Sequence, residues 1–286
     1  MKKFITILVL SLLMLGLFCT TAQAAPNIKV VVDGKAIVFT DAKPFVDKNY
    51  RTQVPMRALA EALGCYVNYI PGQNGNSAVI DISKKTPSGL KVQAKFLPDG
   101  LMGTHFLYLQ NRWIGDIYVD TDIVTIKSRT YLPARYVAEN FGYNIRWDGM
   151  NNTVYVDSNP NDVLFNHTNS YVSKSDLMGT WKKTNAKGDY LGEVTFMDTR
   201  YNTTGSAYMS GSYQWYSNTE YYYVTNIERN ILEFNTKAWD VPSSFWNYLQ
   251  KYEDECMVVL LDKDTAMLVC HWPYSDYCMR YILEKY

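Results

Sequence analysis

The chain has 286 residues with 28 basic and 28 acidic side chains, and this balance excludes the clustered positive face by which proteins hold nucleic acid. The length exceeds a typical single core and predicts two domains. Aromatic residues make up 15%, dominated by 24 tyrosines, which predicts pleated, half-buried strand positions.

Residues 1–24 read as a secretion signal. Lys2 and Lys3 give a basic start, Phe4 to Phe18 an apolar run, and Ala22-Gln23-Ala24 the small-x-small pattern that signal peptidase cuts, between Ala24 and Ala25. The run of about 15 residues is short of the roughly 20 needed to cross a bilayer. Lipidation at Cys19 would need a small residue before it, and Phe18 is not small. The expected mature chain is secreted, extracellular or cell-wall associated, with no membrane span.

Two segments then repeat at an offset of 78 residues: RTQVPMRALAEALGCYVNY from Arg51, and RTYLPARYVAENFGYNIRW from Arg129. Pro55 and Pro133 suit the first position of a helix, where a missing N–H costs nothing. Gly64 and Gly142 suit the left-handed residue just past its end. Between them Met56, Leu59, Ala60 and Leu63, and likewise Ala134, Val137, Ala138 and Phe141, fall at i, i+3, i+4 and i+7, the stripe of an amphipathic helix. Before the first copy, IKVVV and AIVF flank Asp33-Gly34, a two-residue hairpin signal. After each helix come two short strands around a turn, VNY to AVIDI and NIRW to TVYVD. The repeat thus spans 51–83 and 129–158, and the expected class is α+β: strands with two repeated short helices, then a mostly antiparallel β barrel or sandwich.

Arg57 and Arg135 lie in the first turn of each helix, facing the positive end of the helix dipole. Arginine four residues before glutamate, as with Glu61 and Glu139, is also the weaker pairing order. A tertiary partner such as Asp81 or Asp157 would account for the arrangement, which makes it structural. A ligand-binding arginine pair is the alternative.

The DG hairpin, the run DAKPFVD, the two helix segments and the closing NTVYV resemble the copper amine oxidase N-terminal domain family, over residues 27–157. The resemblance implies a stalk domain of secreted Gram-positive proteins that carries neither copper nor cofactor. The oxidation chemistry itself has no residues here. His105, His167 and His271 are scattered, with no His-x-His pair to seed a metal site. Asn247-Tyr248 is followed by Leu249, where the quinone motif needs an acid. No nucleophile elbow, metalloprotease helix or phosphate loop is present either. The expectation is a non-enzyme with no metal and no cofactor.

Residues 158–175, rich in Asn, Ser and Asp, read as a linker. Beyond it, from 176 to 286, short strand-like runs alternate with turns, as in an antiparallel barrel or sandwich. Gly179-Thr180-Trp181 resembles the first strand of lipocalin-like barrels, in which an arginine near the last strand packs across the tryptophan. Arg280 matches that role, closing the barrel base on Trp181. An unrelated sandwich stays open as the alternative.

In the aromatic stretch, Tyr213 and Trp215 share a strand face, as do Tyr221 and Tyr223. Cross-strand packing, a ligand cavity and a platform for sugar rings are the three readings. Among the cysteines, a loop at Asp262 to Asp264 puts Cys256 opposite Cys270, whereas a loop around Tyr274 puts Cys270 opposite Cys278. The second pairing is the expected disulfide, since the less regular loop gains more from a staple; three reduced thiols are the alternative. The expected function is a non-catalytic surface or wall-associated module. Its partner is a cell-wall glycan or a surface protein, the alternative being a barrel that carries a small apolar ligand.

Overall fold

The computed structural model describes residues 27–73, 77–98, 104–167, 174–185, 187–197, 206–209, 220–228, 231–238, 255–271 and 278–286. Ala24 and Ala25 lie outside the described residues, as do Tyr213 and Trp215.

The repeated sequence folds twice into one local unit. β4 (Thr52–Pro55) leads directly into α1 (Met56–Ala62), then β5 (Tyr66–Ile70) and β6 (Val79–Lys85). In the second copy β11 (Arg129–Pro133) leads into α2 (Ala134–Ala138), a short 3-10 turn, then β12 (Tyr143–Asp148) and β13 (Thr153–Ser158). Pro55 and Pro133 end the strands and stand at the N-cap, one position earlier than expected, with extended φ/ψ of −55/107 and −56/127. Gly64 and Gly142 are left-handed, at φ +73 and +82. At the first, the Gly64 N–H donates to the Glu61 carbonyl and the Cys65 N–H to Ala60, the double closure of a Schellman motif.

The copies meet across a local two-fold. β11 pairs antiparallel with β4, and Leu132 stands opposite Val54, its own counterpart 78 positions earlier. β3 (Phe45–Val46) and β10 (Val124–Ile126) flank this pair, giving the order β10-β11-β4-β3. α1 and α2 pack together on it, burying Leu59, Leu63, Val137 and Phe141. Each copy's hairpin is then extended differently. β1 (Lys29–Val32) adds parallel to β13, and β2 (Lys35–Ala36) follows it through a turn whose Asp33 and Gly34 are both at positive φ, as a tight twisted hairpin requires. On the other side, β7 (Lys91–Phe96), β8 (Thr104–Leu109) and β9 (Arg112–Tyr118) extend the first hairpin into a five-stranded antiparallel sheet.

The second half is a closed barrel of eight antiparallel strands. They are β14 (Gly179–Thr184), β15 (Tyr190–Met197), β16 (Ser206–Met209), β17 (Glu220–Glu228), β18 (Ile231–Ala238), β19 (Glu255–Leu260), β20 (Thr265–His271) and β21 (Cys278–Lys285). The α+β class read from the sequence is therefore corrected. The protein is mostly β with four sheets, because the repeated helices are only seven and five residues long while strands build everything around them.

Strand alternation sorts the barrel's apolar residues into two cores. Among the described side chains, Val258, Leu260, Ala266, Leu268 and Leu283 cluster inside the barrel with Trp181 and Phe196. Their neighbours Met257, Val259, Met267 and Val269 face out, and join the core of the first half. The barrel wall is thus seated against the first half, with β21 packed on β9. Part of the expected linker is docked as well. Asp162 Oδ1 accepts the N–H groups of Leu164 and Phe165, and Val163, Leu164 and Phe165 pack on the first core. Phe165 lies so close over Gly142 that a Cβ there would sit 2.7 Å from it. That glycine answers both to its φ and to the approach of Phe165.

Candidate functional site

Asp47 organises a polar knot at the edge of the β10-β11-β4-β3 sheet. Its Oδ1 accepts the N–H groups of Asn49 and Arg51, and its Oδ2 accepts from Gln53 Nε2 and the Thr121 hydroxyl. Burial raises its affinity for a proton, but the four donors outweigh that and hold its carboxyl below the usual range. Asp120 is held further down, to about 2, by the Arg51 guanidinium and the Tyr136 hydroxyl. Every carboxylate oxygen here is already occupied by a donor, so the knot ties strands together and offers no open coordination.

Among the described residues, Arg57 and Arg135 pair only within their own helices. Each reaches its own helix's glutamate, Arg57 Nη1 to Glu61 at 3.7 Å and Arg135 Nε to Glu139 at 3.5 Å, on exposed surface. The expected partner Asp81 instead faces the buried Gln93 amide. The weak pairing order persists because solvent screens it, not because a buried acid compensates.

The barrel base differs from the expected pairing too. Trp181 is fully buried, and its indole N–H donates to the Leu177 carbonyl at 2.7 Å, capping the barrel with α3 (Lys174–Leu177). The cation over its ring is Lys285, 5.2 Å from the centroid, whose ammonium also bonds the Asp176 carbonyl at 2.6 Å. Arg280 is exposed and lies beside Gly115 of β9. Two residues of strand place Arg280 on the outward row with Ile282 and Glu284, whereas the interior row holds Tyr281 and Leu283. Arg280 is a junction residue between the halves, not the barrel's plug. His167 crosses the same junction, its Nε2 3.2 Å from Asp262 in the β19–β20 turn.

Tyr221 and Tyr223 lie on β17, opposite Tyr208 and Ser206 of β16. The strand register sets Cys270 opposite Cys256 and Met279, and Cys278 opposite His271. The expected Cys270–Cys278 facing pair is therefore one residue out of register. Cys65 is free and buried, its thiol pushed up to about 12. No group of three or more His, Cys, Asp or Glu side chains is placed to hold a metal among the described residues. His105 is buried with Nδ1 accepting the Leu97 N–H, and burial lowers it to about 4. No described helix is long and apolar enough to cross a membrane.

The outer face of β15, β14 and β21 gathers exposed aromatic and charged side chains. Tyr190 is 57% exposed, Leu191 40% and Tyr286 72%. Strand pairing sets Glu193 opposite Lys182, and Lys182 opposite Glu284. The Glu193 carboxylate pushes the Tyr286 hydroxyl up to about 12. Lys182 and Glu284 neutralise one another at 3.4 Å alongside. These residues share no local signal in the sequence, because 96 positions separate the two tyrosines and only barrel closure through β14 brings their strands to one face.

Comparison with known proteins bears on the first half. Residues 31–93 and 102–162 match the family model described as copper amine oxidase N-terminal domain. No curated protein matches the sequence significantly. Among solved structures, "Crystal structure of HCR/D-Sa-GBL1/C" is 11% identical at a TM-score of 0.16, covering 77% of this chain and 72% of that one. "Binding domain of Botulinum neurotoxin DC in complex with rat synaptotagmin II" is 9% identical at 0.15, covering 78% and 74%. At these TM-scores neither carries an argument.

Proposed function

We propose that the chain is a secreted, non-catalytic binding module of the Gram-positive cell surface, in which a stalk-type domain presents a barrel to the wall. The first half's family is non-catalytic, and the carboxylates of its polar knot are spent on structural donors. One observation carries the choice of surface binding over carriage. Among the described side chains, Trp181, Phe196, Leu260, Leu268 and Leu283 pack together in the barrel interior, which favours recognition on the outer face. Purified full chain mixed with isolated Gram-positive cell walls tests this: it should sediment with the walls and be released by soluble wall fragments.

A closed eight-stranded barrel favours a second reading, a carrier of one small apolar ligand, since that size either packs with side chains or holds one guest. Native mass spectrometry after incubation with a long-chain fatty acid separates the two. The surface module remains unliganded, and a one-to-one adduct would establish the carrier.

A further inference from the structure

We infer that the protein pairs with a second copy of itself through β5, edge to edge about a two-fold axis at Asn68, joining two five-stranded sheets into one. The inference goes beyond the surface-module reading and does not depend on what the barrel binds. β5 lies at one edge of its sheet, and β6 is its only strand neighbour among the described residues. A strand edge offers its open backbone donors and acceptors to any strand that approaches, and proteins commonly block such edges with charge or proline. β5, with the sequence YVNYI, carries neither. Tyr66 is 70% exposed, Tyr69 51% and Ile70 45%, so the edge is bare as well as uncharged.

The repeat contains its own control. β12 is the counterpart of β5 at the offset of 78 residues, and it too lies at an edge of its sheet. There Arg146 stands in place of Asn68 and Asp148 in place of Ile70. A β12 edge turned on itself about Arg146 would set two arginines face to face, and like charges directly opposite destabilise a strand pair. β5 turned on itself about Asn68 meets no such conflict. Asn68 faces the partner's Asn68, Val67 faces the partner's Tyr69, and Tyr66 faces the partner's Ile70. The first is an amide pair able to exchange hydrogen bonds, and the others are the aromatic–aliphatic pairs that stabilise adjacent strands. An unrelated strand would need this match by chance, whereas a second copy supplies it by symmetry. The two-fold also closes the assembly at two copies, since the far edge, β9, packs on β21 and carries Arg112 and Asp116. A five-residue ladder spans about 17 Å, short of the roughly 800 Å² per partner of a stable interface. The dimer is therefore weak and forms where copies are crowded.

Sedimentation velocity of the full chain, from about 10 µM to about 500 µM, tests the pairing. A shift from monomer to dimer with rising concentration is expected. Asn68→Arg, which copies the residue of the second repeat, should weaken association about tenfold or more. Asn68→Thr should retain most of it, because threonines opposite one another also bond across strands. Asn68 is exposed, so both variants should melt as the wild type does. Asn68→Cys gives an independent readout. The axis brings the two introduced thiols within disulfide reach, so mild oxidation should yield a covalent dimer that the wild type does not form. A wild type that stays monomeric throughout, association unchanged by Asn68→Arg, or no covalent dimer of the Asn68→Cys chain each overturns the proposal.

Discussion

Arg51 reaches 69 residues along the chain to clasp Asp120 through two guanidinium nitrogens, and Arg129 clasps Asp41 in the same way from 88 residues on. Each copy of the repeat therefore holds the entry segment of the other, closing the two-fold that runs between Val54 and Leu132. The clasps are not equal. Tyr136 adds a hydroxyl at 2.6 Å to Asp120, whereas Ala58 stands at the corresponding place in the first copy. Asp120→Asn should lower the melting temperature more than Asp41→Asn, and the double variant should show additive losses, since the clasps share no partner. Differential scanning calorimetry reads both effects; equal losses would remove the role given to Tyr136.

The same asymmetry sets an acid dependence. The Asp120 carboxyl is lowered to about 2 against an unfolded value near 3.9, so the folded state binds fewer protons and its advantage is present above about pH 4. It is lost as pH falls towards 2. Over that window the wild type should lose more stability than Asp120→Asn, measured by urea unfolding at each pH.

His105 supplies a second, separate window. Burial lowers it to about 4, and its Nδ1 must stay unprotonated to accept the Leu97 N–H. With an unfolded value near 6.5, its contribution is whole above that pH and is lost as pH falls towards 4, by about 3 kcal/mol for a shift of this size. His105→Gln should flatten this limb of the stability profile at some cost in packing against Phe96. A variant as steep as the wild type between pH 6.5 and 4 would assign the limb to another group.

The seating of the barrel predicts cooperativity between halves joined by a polar segment. Met257, Val259, Met267 and Val269 belong to the core of the first half, so the wild type should melt in one transition. Val269→Asp buries a carboxylate in that seam, at a cost of several kcal/mol. It should split the melt into two transitions, and two transitions already in the wild type would refute the shared core.

Much of this architecture is legible in the sequence, and the failures have physical reasons. The helix stripes and Gly64 and Gly142 are local signals, read from spacing alone. The runs CMVVLL and AMLVC are apolar at every position, the mark of strands covered on both faces. Their outer cover was not legible, because it comes from a sheet more than a hundred residues away. Motif position points to Arg280 as the barrel plug, but strand parity places it outside: Tyr281 and Leu283 take the interior row, so an even-numbered neighbour points out. Tyr190 and Tyr286 left no local trace at all, since neither sits in an aromatic run.

Lys285 then carries the last prediction, which concerns the barrel base. Trp181 is fully buried and bonded to Leu177, so Trp181→Ala should cost about 3–5 kcal/mol. Lys285 covers its ring and ties α3 down through Asp176. Lys285→Met keeps the covering stem and removes the ammonium, so it should cost about 1 kcal/mol, the combined scale of one hydrogen bond and a partly exposed cation–π contact. Arg280→Met, at the junction with Gly115, should leave the Trp181 fluorescence maximum unchanged in a background where the six other tryptophans are replaced by phenylalanine. Lys285→Met should shift that maximum to longer wavelength as α3 loosens and water reaches the indole. A shift in the Arg280 variant with none in the Lys285 variant would return the plug to Arg280.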